Sequence, residues 1–134
     1  MRSRTFAAAA LVALVAGSGA VAQGGDPVTG SWRTQADDNG NFAVVRIAPC
    51  GGRICGTIAQ AYNSSGAPIA SDTVGRRIVW DMTPAGGGSY TDGKVWAPDR
   101  DKVYNSGMQL SGDRLKVDGC VFGICRGQTW ARAR

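Results

Sequence analysis

The sequence predicts a small all-β domain, an antiparallel barrel of about eight strands supported by disulfides, and three observations carry that reading. Beyond Pro27 no stretch places apolar residues at helical spacing over successive turns. Short β-prone runs recur instead, cut by Gly, Pro, Asn, Asp and Ser. The chain's 4 cysteines fall as two pairs with one spacing, Cys50 with Cys55 and Cys120 with Cys125.

Taken in order, residues 29–34 read as a first strand, and Asp37, Asp38, Asn39, Gly40 and Asn41 as a turn. Residues 42–48 form a second strand, with Val45 and Ile47 on one face and Phe42 and Val44 on the other. Apolar residues on both faces predict a well-covered position in the sheet. Pro49, Cys50, Gly51 and Gly52 then turn the chain into a third strand over residues 53–60. Residues 61–75 are rich in Ser, Gly, Asn and Pro and read as the longest loop, of a length that often carries function. The fourth strand covers 76–82, with Ile78, Trp80 and Met82 assigned to one face, and 83–88 reads as a turn. Residues 93–97 and 102–110 make the fifth and sixth strands around a tight turn at 98–101, with Tyr104, Met108 and Leu110 sharing a face. Leu115 and Val117 alternate with Lys116 and Asp118 in a seventh strand, 114–120, and 125–132 is the eighth. Tight turns imply antiparallel pairing, and a closed barrel is favoured over a sandwich because closure removes exposed sheet edges.

The first residues carry Arg2 and Arg4, then an uncharged apolar run over 6–16, then small residues at Ala20 and Ala22. This is the pattern of a secretory signal peptide over residues 1–22, with cleavage before Gln23, and residues 23–134 form one mature domain. The run is shorter than the ~20 residues a helix needs to span a bilayer, and no second run follows, so no membrane span is expected in the mature protein. The destination is the periplasm or the exterior. The mature charge is +3, scattered singly, which argues against nucleic acid as a partner. A monomer is expected.

Export to an oxidising compartment makes disulfides the reading for Cys50, Cys55, Cys120 and Cys125. A metal site is disfavoured because the chain has no histidine, and a redox dithiol because its cysteines would stand closer together. On one straight strand, residues five apart lie roughly 17 Å apart, so a local bond requires a turn. A hairpin with a four-residue loop would bring each pair face to face. Three pairings are open; the repeated spacing favours Cys50–Cys55 and Cys120–Cys125, while a barrel could also bring the two tips together.

Two segments carry a resemblance: Ile47-Ala48-Pro49-Cys50-Gly51-Gly52-Arg53-Ile54-Cys55-Gly56, and Gly119 to Trp130 with its Cys-Val-Phe-Gly-Ile-Cys-Arg-Gly-Gln-Thr-Trp order, followed by Arg132. With Gly30-Ser31-Trp32 and Gly93-Lys94-Val95-Trp96-Ala97-Pro98, they resemble the bacterial family called domain of unknown function 2147. That resemblance implies an exported small β domain and assigns no activity. The family's Asn-Pro-Asp-type segment after the third strand has no counterpart in residues 64–75. A looser similarity is to calycin and lipocalin-like barrels, in which a first-strand tryptophan packs near a C-terminal arginine. It gives Trp32 and Arg132 a structural role at the closed end; the alternative is an ordinary core tryptophan beside an exposed arginine.

Chemistry is constrained by absences. With no histidine and no glutamate, the most usual general base and histidine-dependent triads are missing, and no catalytic residues are expected. Asp99 and Asp101 read as turn formers rather than calcium ligands, and nothing places any two of Asp72, Asp81 and Asp118 together for glycoside chemistry. No cofactor is expected. Trp80, Trp96, Trp130, Tyr62, Tyr90 and Tyr104 either fill the core, the preferred reading, or line a ligand pocket. The expected function is therefore an exported, non-enzymatic binding domain for a small apolar or amphipathic ligand. The alternative is an envelope protein-interaction module, an inhibitor or accessory factor, acting through the 61–75 loop.

Overall fold

The computed structural model describes residues 25–133; the signal peptide and cleavage point expected from the sequence lie outside them. The described residues form β1 (Gly30–Arg33), β2 (Phe42–Cys50), β3 (Arg53–Tyr62), β4 (Pro68–Ile69), β5 (Arg77–Gly86), β6 (Ser89–Ala97), β7 (Lys102–Ser111), β8 (Arg114–Val121) and β9 (Ile124–Arg132). All pairings are antiparallel, and β9 returns to pair with β1, so eight strands close into a barrel while the two-residue β4 adds to β3. This is the all-β antiparallel barrel that the short, turn-bounded runs predict.

Alternation of side chains sets the inside. In β8, Leu115 and Val117 are buried between exposed Arg114 and Lys116; in β2, Val45 and Ile47 are buried around exposed Arg46. Gly56 in β3 completes the layer. A side chain there would start 2.9 Å from both Val45 Cγ1 and Val79 Cγ2, so only glycine lets these valines meet.

Successive strands reverse direction, which sorts the connections to two ends. At one end lie the β2–β3, β5–β6 and β7–β8 turns, centred on Gly51-Gly52, Gly87-Gly88 and Gly112-Asp113. At the other lie residues 34–41, residues 63–76, the 98–101 turn and the Phe122-Gly123 turn. The first end is closed by residues 26–29, which put Val28 fully into the core. Asp26 fixes this plug, accepting hydrogen bonds from the Val28 amide at 2.9 Å and from the Tyr90 hydroxyl. Trp32 Nε1 donates to the Val28 carbonyl at 2.9 Å, and Arg132 donates to the Thr29 and Pro27 carbonyls at 3.2 and 3.0 Å. The Arg132 guanidinium lies 4.3 Å over the Trp32 ring and 3.4 Å from Asp113. Trp32 and Arg132 thus meet at the closed end and join the first strand to the last.

Burial and the Asp26 carboxylate both hold the Tyr90 phenol neutral and push its pKa well above the ordinary value. A folded-state pKa above the unfolded value contributes stability that is present below about pH 10 and is lost as pH rises further. Stability measured by urea unfolding should therefore fall as pH rises above about pH 10, and Tyr90→Phe should flatten that fall. An unchanged slope in the variant would remove Tyr90 from this role.

Several boundaries differ from the sequence expectation. The fourth strand does not keep one alternation. Bulges around Gly56–Thr57 and a positive φ of 57° at Asp81 shift its phase, so Val79 and Met82 are buried while Trp80 is only half-buried. Residues 83–86 continue β5 rather than turning, since Thr83 and Pro84 still pair with Thr91 and Tyr90. The expected 61–75 loop is shorter and more ordered than its composition implies. Ala61 and Tyr62 belong to β3, β4 folds back onto them, and Asn63 Oδ1 accepts from the Ser65 and Ala67 amides at 3.0 Å each.

Candidate functional site

The plugged end leaves the opposite mouth open, and a cavity of about 480 Å³ enters there. Its floor is apolar, Trp130 from β9 and Val117 from β8, and Ile78 near the start of β5 extends the apolar lining toward the mouth. Val95 and Tyr104, paired across β6 and β7, make one wall. Gly119 makes room between them: a Cβ built there would meet Val95 Cγ1 at 3.4 Å and Tyr104 Cβ at 3.6 Å, ordinary contact distances. The rim is the 98–101 turn on one side and the tip of the β8–β9 hairpin on the other.

That hairpin tip is built from its sequence. Phe122 and Gly123 both have positive φ, 51° and 78°, the two-residue turn whose twist matches antiparallel strands. Cys120 and Cys125 pair directly in register, Cα atoms 4.0 Å apart, and their disulfide locks the tip. The residues held up are apolar: Phe122 is 98% exposed and Ile124 70%. Cys50 and Cys55 are joined at the closed end, 5.9 Å apart between Cα atoms. Both hairpins turn over two residues rather than the expected four. Cys50 consequently stands opposite Arg53 and Cys55 opposite Ala48, so this bond runs diagonally across the ladder.

The six aromatic candidates divide. Trp130, Trp96 and Tyr104 line the cavity. Trp130 is nearly fully buried, and its Nε1 donates to Gln128 Oε1 at 2.9 Å, which satisfies the indole in an otherwise apolar floor. Trp96 donates to Asp101 Oδ1 at 2.9 Å and carries the Arg76 guanidinium 3.6 Å over its ring. Tyr62 instead stacks on Phe42 with ring centroids 5.1 Å apart, Tyr90 belongs to the closed end, and Trp80 borders an outer groove with Arg76, Arg77 and Val103. A further hollow of about 580 Å³ on β6–β8 is more open and lined by polar groups such as Asp92, Lys94 and Asn105.

Three of the aspartates have individual partners. Asp81 faces Arg53 at 4.0 Å, Asp99 faces Arg100 at 4.0 Å, and Asp101 serves the Trp96 indole. Among the described residues no group of three or more metal-type ligands is brought together, and no helix is long and apolar enough to cross a membrane.

Sequence reading left the ligand-binding residues unknown and did not place Gly119 and Arg126, both of which line the cavity. They stand opposite each other across β8 and β9. Counting back by twos from the buried Trp130 puts Gln128, Arg126 and Ile124 in its phase, at the exposed rim of the cavity, a signal present once β9 is known to start at Ile124.

No curated protein matches this chain. Among solved structures it is similar to protein HP1028 from the human pathogen Helicobacter pylori, reported as belonging to the lipocalin family. The TM-score is 0.64 at 16% identity, covering 80% of this chain and 83% of that one. The likeness is one of fold, and it agrees with the calycin-like barrel. The profile described as an uncharacterized protein conserved in bacteria matches residues 30–132, nearly the whole barrel from β1 to β9. With that span and both cystine hairpins accounted for, the chain belongs to the DUF2147 family.

Proposed function

We propose that this protein is an exported, non-enzymatic binding domain that holds a small amphipathic molecule in the open end of its barrel. One observation carries the reading: one end of the barrel is plugged while the other opens into a 480 Å³ cavity with an apolar floor and a few polar groups. That volume lies within the roughly 300–1,000 Å³ of small-molecule sites, and an eight-stranded barrel is just wide enough for one small ligand. The arginine-bearing, apolar-lipped mouth favours an amphipathic over a purely apolar guest. Two features support export: the signal-like leader of residues 1–22 and the joining of all four cysteines in disulfides, which persist in oxidising compartments.

Native mass spectrometry of protein recovered from the bacterial envelope tests this. The expected spectrum contains a bound small molecule that is absent from Gly119→Phe, whose ring would occupy the cavity without backbone strain, since its Cβ meets only ordinary contacts. The variant should keep the wild-type circular dichroism. An identical, empty spectrum for both proteins would count against a ligand, and a bound mass that persists in Gly119→Phe would place it elsewhere.

A further inference from the structure

Resting on the reading of the cavity as a ligand site, we propose that its occupant is a single-chain amphiphile with an anionic head, a carboxylate or a phosphate, selected by Arg126. The pairing of β8 with β9 runs without a bulge from Arg114↔Ala131 to Val121↔Ile124, so the inward phase set by buried Trp130 carries through to residue 126. Arg126 therefore takes the inward-phase position opposite Gly119 and lines the open mouth while staying solvent-exposed, and the missing side chain of Gly119 leaves space beside Val95 and Tyr104.

Among the described residues no carboxylate pairs with this guanidinium. The ion pairs among the described residues use Arg53, Arg100 and Arg132. Two aspartates border the cavity, and both are directed elsewhere. Asp99 sits against Arg100, which also engages the Tyr104 hydroxyl. Asp118 pairs in register with Gly127, one step out of the inward phase, and its Oδ1 covers the outer side of that glycine. Arg126 is thus an uncommitted cation in the mouth, above an apolar floor and below the apolar lip of Ile124 and Phe122. A tail would lie on Trp130, Val117 and Ile78, with its head at the depth of the guanidinium. A planar, permanently charged donor fork suits carboxylate and phosphate alike, while a cationic head would be repelled.

The test is titration of the protein with dodecanoate, dodecyl phosphate, dodecanol and dodecyltrimethylammonium, each below its micellar concentration. The readouts are calorimetry and the fluorescence of the cavity tryptophans. Dodecanoate or dodecyl phosphate should bind about tenfold or more tighter than dodecanol, as expected for one charge-assisted contact, with the ammonium weakest. Whichever anion binds better identifies the head. Arg126→Gln should bring the anion-to-alcohol ratio close to one at unchanged dodecanol affinity, and Arg126→Lys should retain part of the preference. Equal binding of anionic and neutral heads by the wild type, or a preference that survives in Arg126→Gln, would overturn the selectivity while leaving the cavity as a ligand site. No binding of any of the amphiphiles would overturn both. Circular dichroism of each variant confirms that the barrel is intact.

Discussion

Trp32→Ala should lower the free energy of unfolding by about 3–5 kcal/mol, the range for emptying a buried tryptophan site. Trp32 is completely buried, pairs in register with buried Val45 on one side and with Arg132 on the other, and donates its indole proton to the Val28 carbonyl. Its loss opens a cavity, strands that carbonyl and removes the surface on which Arg132 lies, so the plug and the last strand loosen together. Against the roughly 5–15 kcal/mol that holds a domain of this kind, such a loss leaves it marginal. Urea unfolding followed by far-ultraviolet circular dichroism reads the change. Trp32→Phe, which keeps most of the packing and loses the hydrogen bond, should cost less. A loss below about 1 kcal/mol for the alanine variant would mean that the closed end is not held as described.

Replacing all four cysteines with alanine should cost about 4 kcal/mol. Each six-residue ring contributes about 2 kcal/mol by restricting the unfolded chain. Cys50–Cys55 and Cys120–Cys125 sit at opposite ends of the barrel, so the two losses should add. Their functional effects should separate. Removing Cys120–Cys125 frees the tip that holds Phe122 and Ile124 at the cavity rim and should weaken ligand binding. Removing Cys50–Cys55, at the plugged end, should leave binding unchanged at a temperature where the variant is folded. Paired unfolding curves and ligand titrations of the two double variants check this, and equal effects on binding would contradict the assignment of the ends.

The sequence made the architecture legible where alternation was clean. Lys116 and Asp118 around Val117, and Arg46 between Val45 and Ile47, each report a strand with one face inward. The turn residues Asn39-Gly40, Gly51-Gly52 and Gly112-Asp113 marked where strands end. Reading failed where the period breaks. The bulges along β5 bury Val79 beside Ile78 and Met82 and leave Trp80 only half-buried, and a bulge leaves no mark in composition. Residues 83–86 looked like a turn because Pro and Gly are turn formers, yet Pro84 is tolerated in β5 near the end of its pairing with β6. The 61–75 segment looked like a free loop because its order comes from the Asn63 side chain and from β4, contacts set by tertiary position.

The candidate site was harder to see, because it is defined by what is missing as much as by what is present. A glycine at 119 reads as a strand weakness until Val95 and Tyr104 are placed beside it. Arg126 reads as one more surface charge, and it is exposed; only the register with Trp130 places it at the mouth of the cavity. Of the six aromatic residues taken as one set, only Trp96, Tyr104 and Trp130 line the cavity, and nothing in their spacing says that Tyr62 stacks outside on Phe42 while Tyr104 looks into the mouth.

The most direct measurement of the central claim is a backbone and side-chain nuclear magnetic resonance titration with dodecanoate, following every assigned residue at once. The account predicts shifts confined to the open end, at Val95, Tyr104, Val117, Gly119, Arg126 and the Trp130 indole, with Val28, Trp32 and Cys50 silent. Shifts gathered instead at the plugged end or on the outer face of β6–β8, or none anywhere at saturating amphiphile, would contradict it.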